Sequence, residues 1–309
     1  MTTLALIGRG RWGTNIQRTL AQLPGCSVSY VETRDWKRLL QLRDLDGVLI
    51  ATPGSTHADI ALPFIERGMS TFIEKPLTTN LRDALRLENA AKKSGARVFV
   101  GHVHLYNPAY KKAKTLARRA GALRFLFAEG MNNGPYRDDM SALWDWASHD
   151  LAMTLDLLGV LPRTVRATGI SVLRPRTKLY DVATLHLEFP GGVHFFGQYS
   201  WMAPEKRKRF VVQGSRHTVI YDDVAERKVT LLKHLGPTVR GHTIERHAPI
   251  VAYPSYRPTS PLTEELRAFV QYIRTGKRPS SDLAQGVQVV RILDAAERSI
   301  ARRGSAVSL

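Results

Sequence analysis

The chain has one cysteine, Cys26, in 309 residues, and that scarcity excludes a disulfide framework and any cysteine-built metal site. Long apolar runs are missing too: nothing approaches the roughly twenty uninterrupted apolar residues of a membrane span. The opening MTTLALIG lacks the basic stretch and long apolar core of an export signal. A cytoplasmic, reducing location without a membrane partner is the expectation, with Cys26 a structural residue where the turn PGCSV enters a strand. Acidic residues are scarce, 27 against 45 lysines and arginines, for a formal charge of +18. So basic a surface attracts polyanions, yet no helix-turn-helix, zinc-finger or RNA-binding pattern accompanies it, and nucleic acid is not an expected partner. The basic clusters, Lys111, Lys112, Lys114, Arg118 and Arg119 on a predicted helix and Lys206 to Arg209 between two strands, read as solvated faces. No histidine and carboxylate set offers a convincing group of metal ligands, so no metal is expected.

What is present is ordinary globular composition, 43% hydrophobic and 23% charged, at a length suited to two domains. Up to about residue 120 the pattern alternates apolar strands (Leu4 to Ile7, the VSYV run, Val48 to Ala51, Thr71 to Ile73, Arg97 to Val100) with helices at Thr14 to Gln22 and from an Asn80 cap to Ser94. Strand-helix alternation predicts a doubly wound parallel sheet with helices on both faces. Beyond it the strands lengthen and helices thin out. Pro190-Gly191-Gly192 reads as a hairpin turn, and helices are expected from Ser141 to Gly159, Thr263 to Thr275 and Asp282 to Arg302. The fold class is therefore α/β: a Rossmann domain over 1–120, then an α+β domain over 121–309 with a large, mostly antiparallel open sheet. The last helix is expected to pack back on the first domain.

Gly8-Arg9-Gly10-Arg11-Trp12-Gly13 spells G-x-G-x-x-G between the first strand and the first helix. Gly8 permits the tight turn, Gly10 lets backbone approach a pyrophosphate, Gly13 allows close helix–strand packing, and the helix N-terminus offers unpaired N–H groups to the anion. Roughly twenty residues on, the second strand should meet the adenosine ribose. The tip there reads Glu32-Thr33-Arg34. A carboxylate at the deciding position selects NAD, while a hydroxyl followed by arginine suits the extra phosphate of NADP. NADP through Thr33 and Arg34 is favoured, and NAD through Glu32 is the alternative.

Lys75 follows a strand end and precedes a proline, at the edge of the parallel sheet where such folds bind ligands. Asp145 and His149 stand one helical turn apart, a spacing that suits either a shared proton or a surface ion pair.

On these motifs, with ATPGSTH at Ala51 to His57, Glu74-Lys75-Pro76 and Asp145 to His149 in order, the chain resembles the glucose-fructose oxidoreductase and inositol dehydrogenase family, Gfo/Idh/MocA, over essentially its whole length. GHVHLYNPAY and NNGPYRDDMSALWDWASHDLA look like its amino-sugar and nucleotide-sugar branch. Departures are Ser141 and Ala142 in place of glycines, and Ala152 in place of an aspartate. The resemblance implies an NAD(P)-dependent dehydrogenase moving a hydride to or from a sugar's secondary alcohol or ketone. Lys75 would polarise the reacting oxygen, His149 act as acid-base and Asp145 as its partner, with Glu74 orienting Lys75 and the Lys75–Pro76 bond cis. Thr52, Pro53 and His57 would approach the nicotinamide ribose. His102 and Tyr106 would line the substrate cavity, with Asn107, Asn133 and Arg137 as polar partners. A homodimer or homotetramer is implied. The alternative is a non-catalytic dinucleotide-binding or redox-sensing protein of the same fold.

Overall fold

Short strands that are apolar at nearly every position need cover on both faces. In the computed structural model β1 (Thr2–Ile7), β2 (Cys26–Glu32), β3 (Gly47–Ile50), β4 (Ser70–Glu74) and β5 (Val98–Gly101) form a parallel sheet in the order β2-β1-β3-β4-β5. The structure describes residues 1–235, 238–240, 242–245 and 247–309. Three crossover helices cover this sheet: α1 (Arg11–Ala21), α2 (His57–Glu66) and α3 (Leu81–Ser94). Asn80 caps α3 by accepting from the Asp83 N–H at 2.9 Å, and Gly95 ends it at φ 74°. Strand order reverses between β1 and β3, which opens a crevice beyond their carboxyl ends. Gly8 and Thr52 lie just past those two ends.

α4 (Pro108–Ala117) leads into β6 (Leu123–Asn133), and α5 (Ser148–Leu158) precedes β7 (Thr164–Ile170), β8 (Val182–Glu188), β9 (His194–Ser200), β10 (Met202–Gly214), β11 (His217–Asp222) and β12 (Val229–Lys233). β13 (Thr238–Arg240) pairs with β14 (Thr243–Glu245), and β15 (Ile250–Ala252), α6 (Pro261–Thr275), α7 (Leu283–Ala301) and β16 (Val307–Ser308) close the chain. The second sheet runs β15-β12-β11-β10-β6-β9-β8-β7-β16, antiparallel throughout except where β6 lies parallel to β9. Its inner face is read off the alternation: Ala183, Leu185 and Leu187 of β8 and Phe195 and Tyr199 of β9 are buried. α4 packs against β11 and β12, and α7 against β7.

Three expectations change. Lys206 to Arg209 does not connect two strands but lies within the single long strand β10. The helix expected from Ser141 to Gly159 runs without interruption, but its first part, Leu143–Ala147, is a π-helical turn that leads directly into α5. Both closing helices return to the first sheet, not α7 alone. Phe269 of α6 sits edge-on to Phe72 and Phe99, with centroids 5.6 and 5.7 Å away, and a Cβ on Gly286 of α7 would come within 2.6 Å of Val100. No described helix is long and apolar enough to cross a membrane.

Candidate active site

The glycine turn has the shape of an anion cradle. Gly10 caps α1 in extended backbone, with no side-chain cap and no acidic residue in the first turn, so the leading N–H groups stay available. A Cβ on Gly10 would meet nothing within 4 Å among the described residues, which is the clearance a pyrophosphate needs. At Gly8, with φ +111°, it would lie 2.5 Å from the Ala51 carbonyl oxygen, and at Gly13 only 2.1 Å from that of Gly8. Two glycines therefore shape the turn and one admits the ligand. The residues present fit a dinucleotide.

Arg9, Arg11 and, at the β2 end, Thr33 and Arg34 are exposed around this cradle. Glu32 is buried, its carboxylate held by Arg38.

From the cradle a chain of contacts leads inward. The Trp12 indole donates to Glu74, whose other carboxylate oxygen accepts the Lys75 backbone N–H at 3.1 Å. Glu74 lies against Gly101, where a Cβ would be 2.8 Å from its carboxylate. Burial pushes its carboxyl up to about 7, against the pull of Trp12 and Lys75. Glu74 thus holds the Lys75 backbone, and the Lys75–Pro76 bond is cis.

The Lys75 ammonium donates to the Asp145 carboxylate at 2.7 Å and to the Asp145 carbonyl at 2.9 Å. Burial would raise the Asp145 carboxyl, but Lys75 above all, with Arg137 and the Trp201 indole at 3.4 Å, keeps it below the usual range. This corrects the expected Asp145–His149 pair. Asp145 belongs to the π-helical turn rather than to a regular helix, and the nearest strong cation draws its carboxylate away.

His149 instead meets His104, ring against ring at 4.8 Å and 78°, and its Nδ1 is buried without a hydrogen-bond partner among the described residues. Both nitrogens of His102, Trp146 Nε1 and Ser141 Oγ share that condition. Burial first, then the charges of Lys75 and Lys208, holds His149 well below its ordinary value, and burial with Lys75 lowers His102 to about 3. Buried donors and acceptors left without partners are what a polar ligand would satisfy.

Other expected site residues are spent elsewhere. His57 bridges the Pro76 carbonyl at 2.8 Å and the Thr52 carbonyl at 2.9 Å, fastening the loop after β3 to the Lys75 turn. The Thr52 hydroxyl accepts from Thr56 at 2.8 Å, and Pro53 is exposed. Tyr106 is buried with its hydroxyl on Ser281 at 2.9 Å. Asn107 caps α4 and donates to the Tyr221 hydroxyl at 2.9 Å. Exposed Asn133 accepts from Tyr136 at 3.0 Å, while Arg137 grips Asp139 with two 3.0 Å bonds.

Both halves of the chain match models of one family: "Oxidoreductase family, NAD-binding Rossmann fold" over residues 6–102 and "GFO/IDH/MocA C-terminal domain" over 123–220. A solved structure of a putative oxidoreductase from Magnetospirillum magnetotacticum is 32% identical over 96% of this chain and 99% of that one, with a TM-score of 0.83. The chain belongs to the GFO/IDH/MocA oxidoreductase family. Among its members, an inositol 2-dehydrogenase of Saccharopolyspora erythraea is 34% identical over 52% of this chain and 46% of its own length. A UDP-N-acetylglucosamine 3-dehydrogenase of Acidithiobacillus ferrooxidans is 31% identical over 49% and 47%. The matches thus span about half the length of these two curated relatives.

Three side chains of this GFO/IDH/MocA site escape the sequence reading. His104 lies between His102 and Tyr106, the two residues singled out past the end of β5. Half-buried Lys208, its amine 5.6 Å from the centre of the Trp146 ring, falls in the inward series of Phe210 and Val212, so strand parity marks it. Glu265 of α6 is fully buried with neither carboxylate oxygen partnered among the described residues, and burial together with Glu74 pushes it well above its ordinary value. Nothing in the helical pattern around it indicates such a position.

Proposed function

We propose that the protein is an NAD(P)-dependent dehydrogenase acting on a secondary alcohol or ketone of a sugar, more specifically an amino or nucleotide-linked pyranose. One observation carries the reading: the Trp12–Glu74–Lys75–Asp145 relay, which joins the dinucleotide cradle to a cluster of buried polar groups around His149 that lack hydrogen-bond partners among the described residues. The nicotinamide, when bound, takes up or supplies the hydride. Lys75, fixed by Asp145, donates to the reacting oxygen and stabilises its alkoxide-like charge. His149, kept neutral by its surroundings, is in the form that accepts the hydroxyl proton during oxidation and returns it during reduction.

For the cofactor we favour NADP, since exposed Thr33 and Arg34 stand beside Arg38 while Glu32 is already paired. Lys75, Lys208 and the positive net charge favour a substrate carrying phosphate. The division at 120/121 assigns the cradle to the first domain and His149 to the second. We propose a cytoplasmic location, and assembly as a homodimer or homotetramer through the outer sheet face, where Phe125 and Phe196 are 40% and 41% exposed.

The test is turnover with NAD and with NADP against inositols, free hexoses, amino sugars and UDP-N-acetylhexosamines. Reduction or oxidation of a nucleotide sugar faster than of its free sugar supports the full reading. A faster free sugar or inositol removes the substrate class and leaves the dehydrogenase. Dinucleotide binding without turnover on any of them leaves the non-catalytic alternative.

A further inference from the structure

On the outer face of the second sheet, far along the chain from Lys75 and His149, three side chains with metal-ligating chemistry meet. His186 and Glu188 are two apart in β8, so strand alternation puts both on one face, opposite to buried Leu185 and Leu187. The hairpin through Pro190–Gly192 returns the chain antiparallel, and the register sets His194 of β9 directly across from Glu188. Each of the three offers a ligand atom, and all these atoms lie within 4.8 Å of one another.

His186 Nε2 and His194 Nδ1 are 3.0 Å apart, in rings inclined by 17°. The His186 ring is held in place by Phe196, which stacks on it at 4.7 Å and 2°. Two imidazole nitrogens bound to one tetrahedral zinc ion stand about 3.3 Å apart, given Zn–N bonds of about 2.0 to 2.1 Å. The observed pair needs to open by a few tenths of an ångström and each ring to turn, since the two nitrogens now face each other and would have to converge on the metal.

We propose that His186, Glu188 and His194 form a binding site for Zn2+, distinct from the dehydrogenase site, that clasps the β8–β9 hairpin with three protein ligands. Two imidazoles and a carboxylate suit zinc and its transition-metal neighbours and not Mg2+ or Ca2+, which take oxygen donors in larger number. Between neutral imidazoles 3.0 Å apart one N–H must point at the other ring. Zinc needs the lone pair of both nitrogens, so that ring must carry its proton on its other nitrogen, a change of tautomer with no net loss of a proton. The competitor for Glu188 is Arg166, its Nε 3.8 Å away and too far for a hydrogen bond. All three ligands come from one chain, so the site needs no partner, and it stands whether or not the proposed activity does.

The sequence reading expects no metal and does not single out His186 or His194. Register alone joins them.

The test uses the full-length protein, freed of any affinity tag and stripped with a chelator, and titrates Zn2+ calorimetrically beside Mg2+ and Ca2+ controls. Expected are one equivalent of zinc bound at micromolar Kd or tighter, no binding of the controls, and a Tm raised by zinc. His186→Ala and His194→Ala should each weaken zinc at least tenfold and abolish the rise in Tm, and Glu188→Gln should weaken it less. Dinucleotide affinity, unchanged in all three variants, reports that they fold. Absence of a stoichiometric zinc site in the parent, or equal zinc binding by the His186→Ala/His194→Ala double variant, overturns the proposal.

Discussion

The two ends of the candidate active site are built from different material. At the glycine turn the work is done by backbone: a left-handed Gly8, an unobstructed Gly10 and a helix start without a side-chain cap, all within six consecutive residues. At Lys75 it is done by side chains drawn from β4, the π-helical turn, the segment after β5 and β10. Consecutive backbone geometry carries its own sequence signature, since glycine is the residue that satisfies it. A side-chain constellation has none until the topology has brought its members together.

The largest expected effect separates the two ends. Lys75→Met should lower turnover by at least about a hundredfold while leaving dinucleotide affinity within about tenfold, because it removes a donor to the reacting oxygen and not an anchor. Steady-state kinetics with calorimetric cofactor binding checks this. A variant with near-parental turnover would break the division of labour drawn above.

Within the cradle, the three glycines should separate by the space around them. Gly13→Ala puts a methyl group 2.1 Å from the Gly8 carbonyl oxygen and should cost roughly 3 kcal/mol or more of stability. Gly10→Ala meets no described atom and has backbone angles that alanine adopts freely, so stability should move by less than about 0.5 kcal/mol. Dinucleotide affinity should nevertheless fall at least about tenfold, since the methyl group fills the approach to the pyrophosphate. Urea unfolding and cofactor titration of both variants decide it; an equal stability loss would mean that Gly10 also shapes the turn.

What was legible follows the same line. The parallel sheet, helices α1 and α3, the caps at Asn80 and Gly95 and the Gly191–Gly192 hairpin rest on local periodicity and on residues with special backbone freedom, and the structure has them where the pattern put them, whereas α2 over His57–Glu66 was not among the expected helices. The second sheet's antiparallel strands were legible, but the parallel β6–β9 pairing was not, because register between distant strands leaves no local trace. Asp145 was misassigned to His149 for a related reason. Spacing describes a neighbour on the same helix, whereas the carboxylate answers to the cation that folding places 2.7 Å away. Lys208 was hidden in a basic run that opens with the exposed Lys206 and Arg207, and Glu265 among ordinary helix carboxylates.

Glu265 offers a measurement on the side-chain end alone. Its carboxyl is raised above the ordinary 4.5 when folded, so below that value both folded and unfolded chains hold the proton and nothing is lost. As pH climbs from about 4.5 towards the folded value, the unfolded chain gives up its proton while the folded chain keeps it, and stability falls by up to about 1.4 kcal/mol per pH unit. Glu265→Gln has no proton to retain. Its stability relative to the parent should therefore improve between pH 5 and pH 8, in urea melts at both values. A constant difference would mean that Glu265 finds a cationic partner and is not held as the neutral acid.

The smallest effect concerns the cofactor's far end, where backbone and side chain share the decision. The Glu32 carbonyl accepts from the Gly8 N–H at 2.8 Å, which ties the β2 tip to the glycine turn, while its carboxylate is paired with Arg38. A ribose that needs two acceptor bonds from this carboxylate has to displace that arginine, and a 2′-phosphate instead gains from it. Thr33 and Arg34, both exposed, add a hydroxyl and a second guanidinium on the same tip. Arg34→Ala should accordingly weaken NADP by about 1 to 3 kcal/mol, the scale of a charge-assisted hydrogen bond, and leave NAD almost unchanged. Because these groups face water, the NADP advantage should also shrink as salt rises. Calorimetry with both cofactors at two ionic strengths checks it, and tighter binding of NAD by the parent protein would return the position to Glu32, with Arg38 as the group that swings aside.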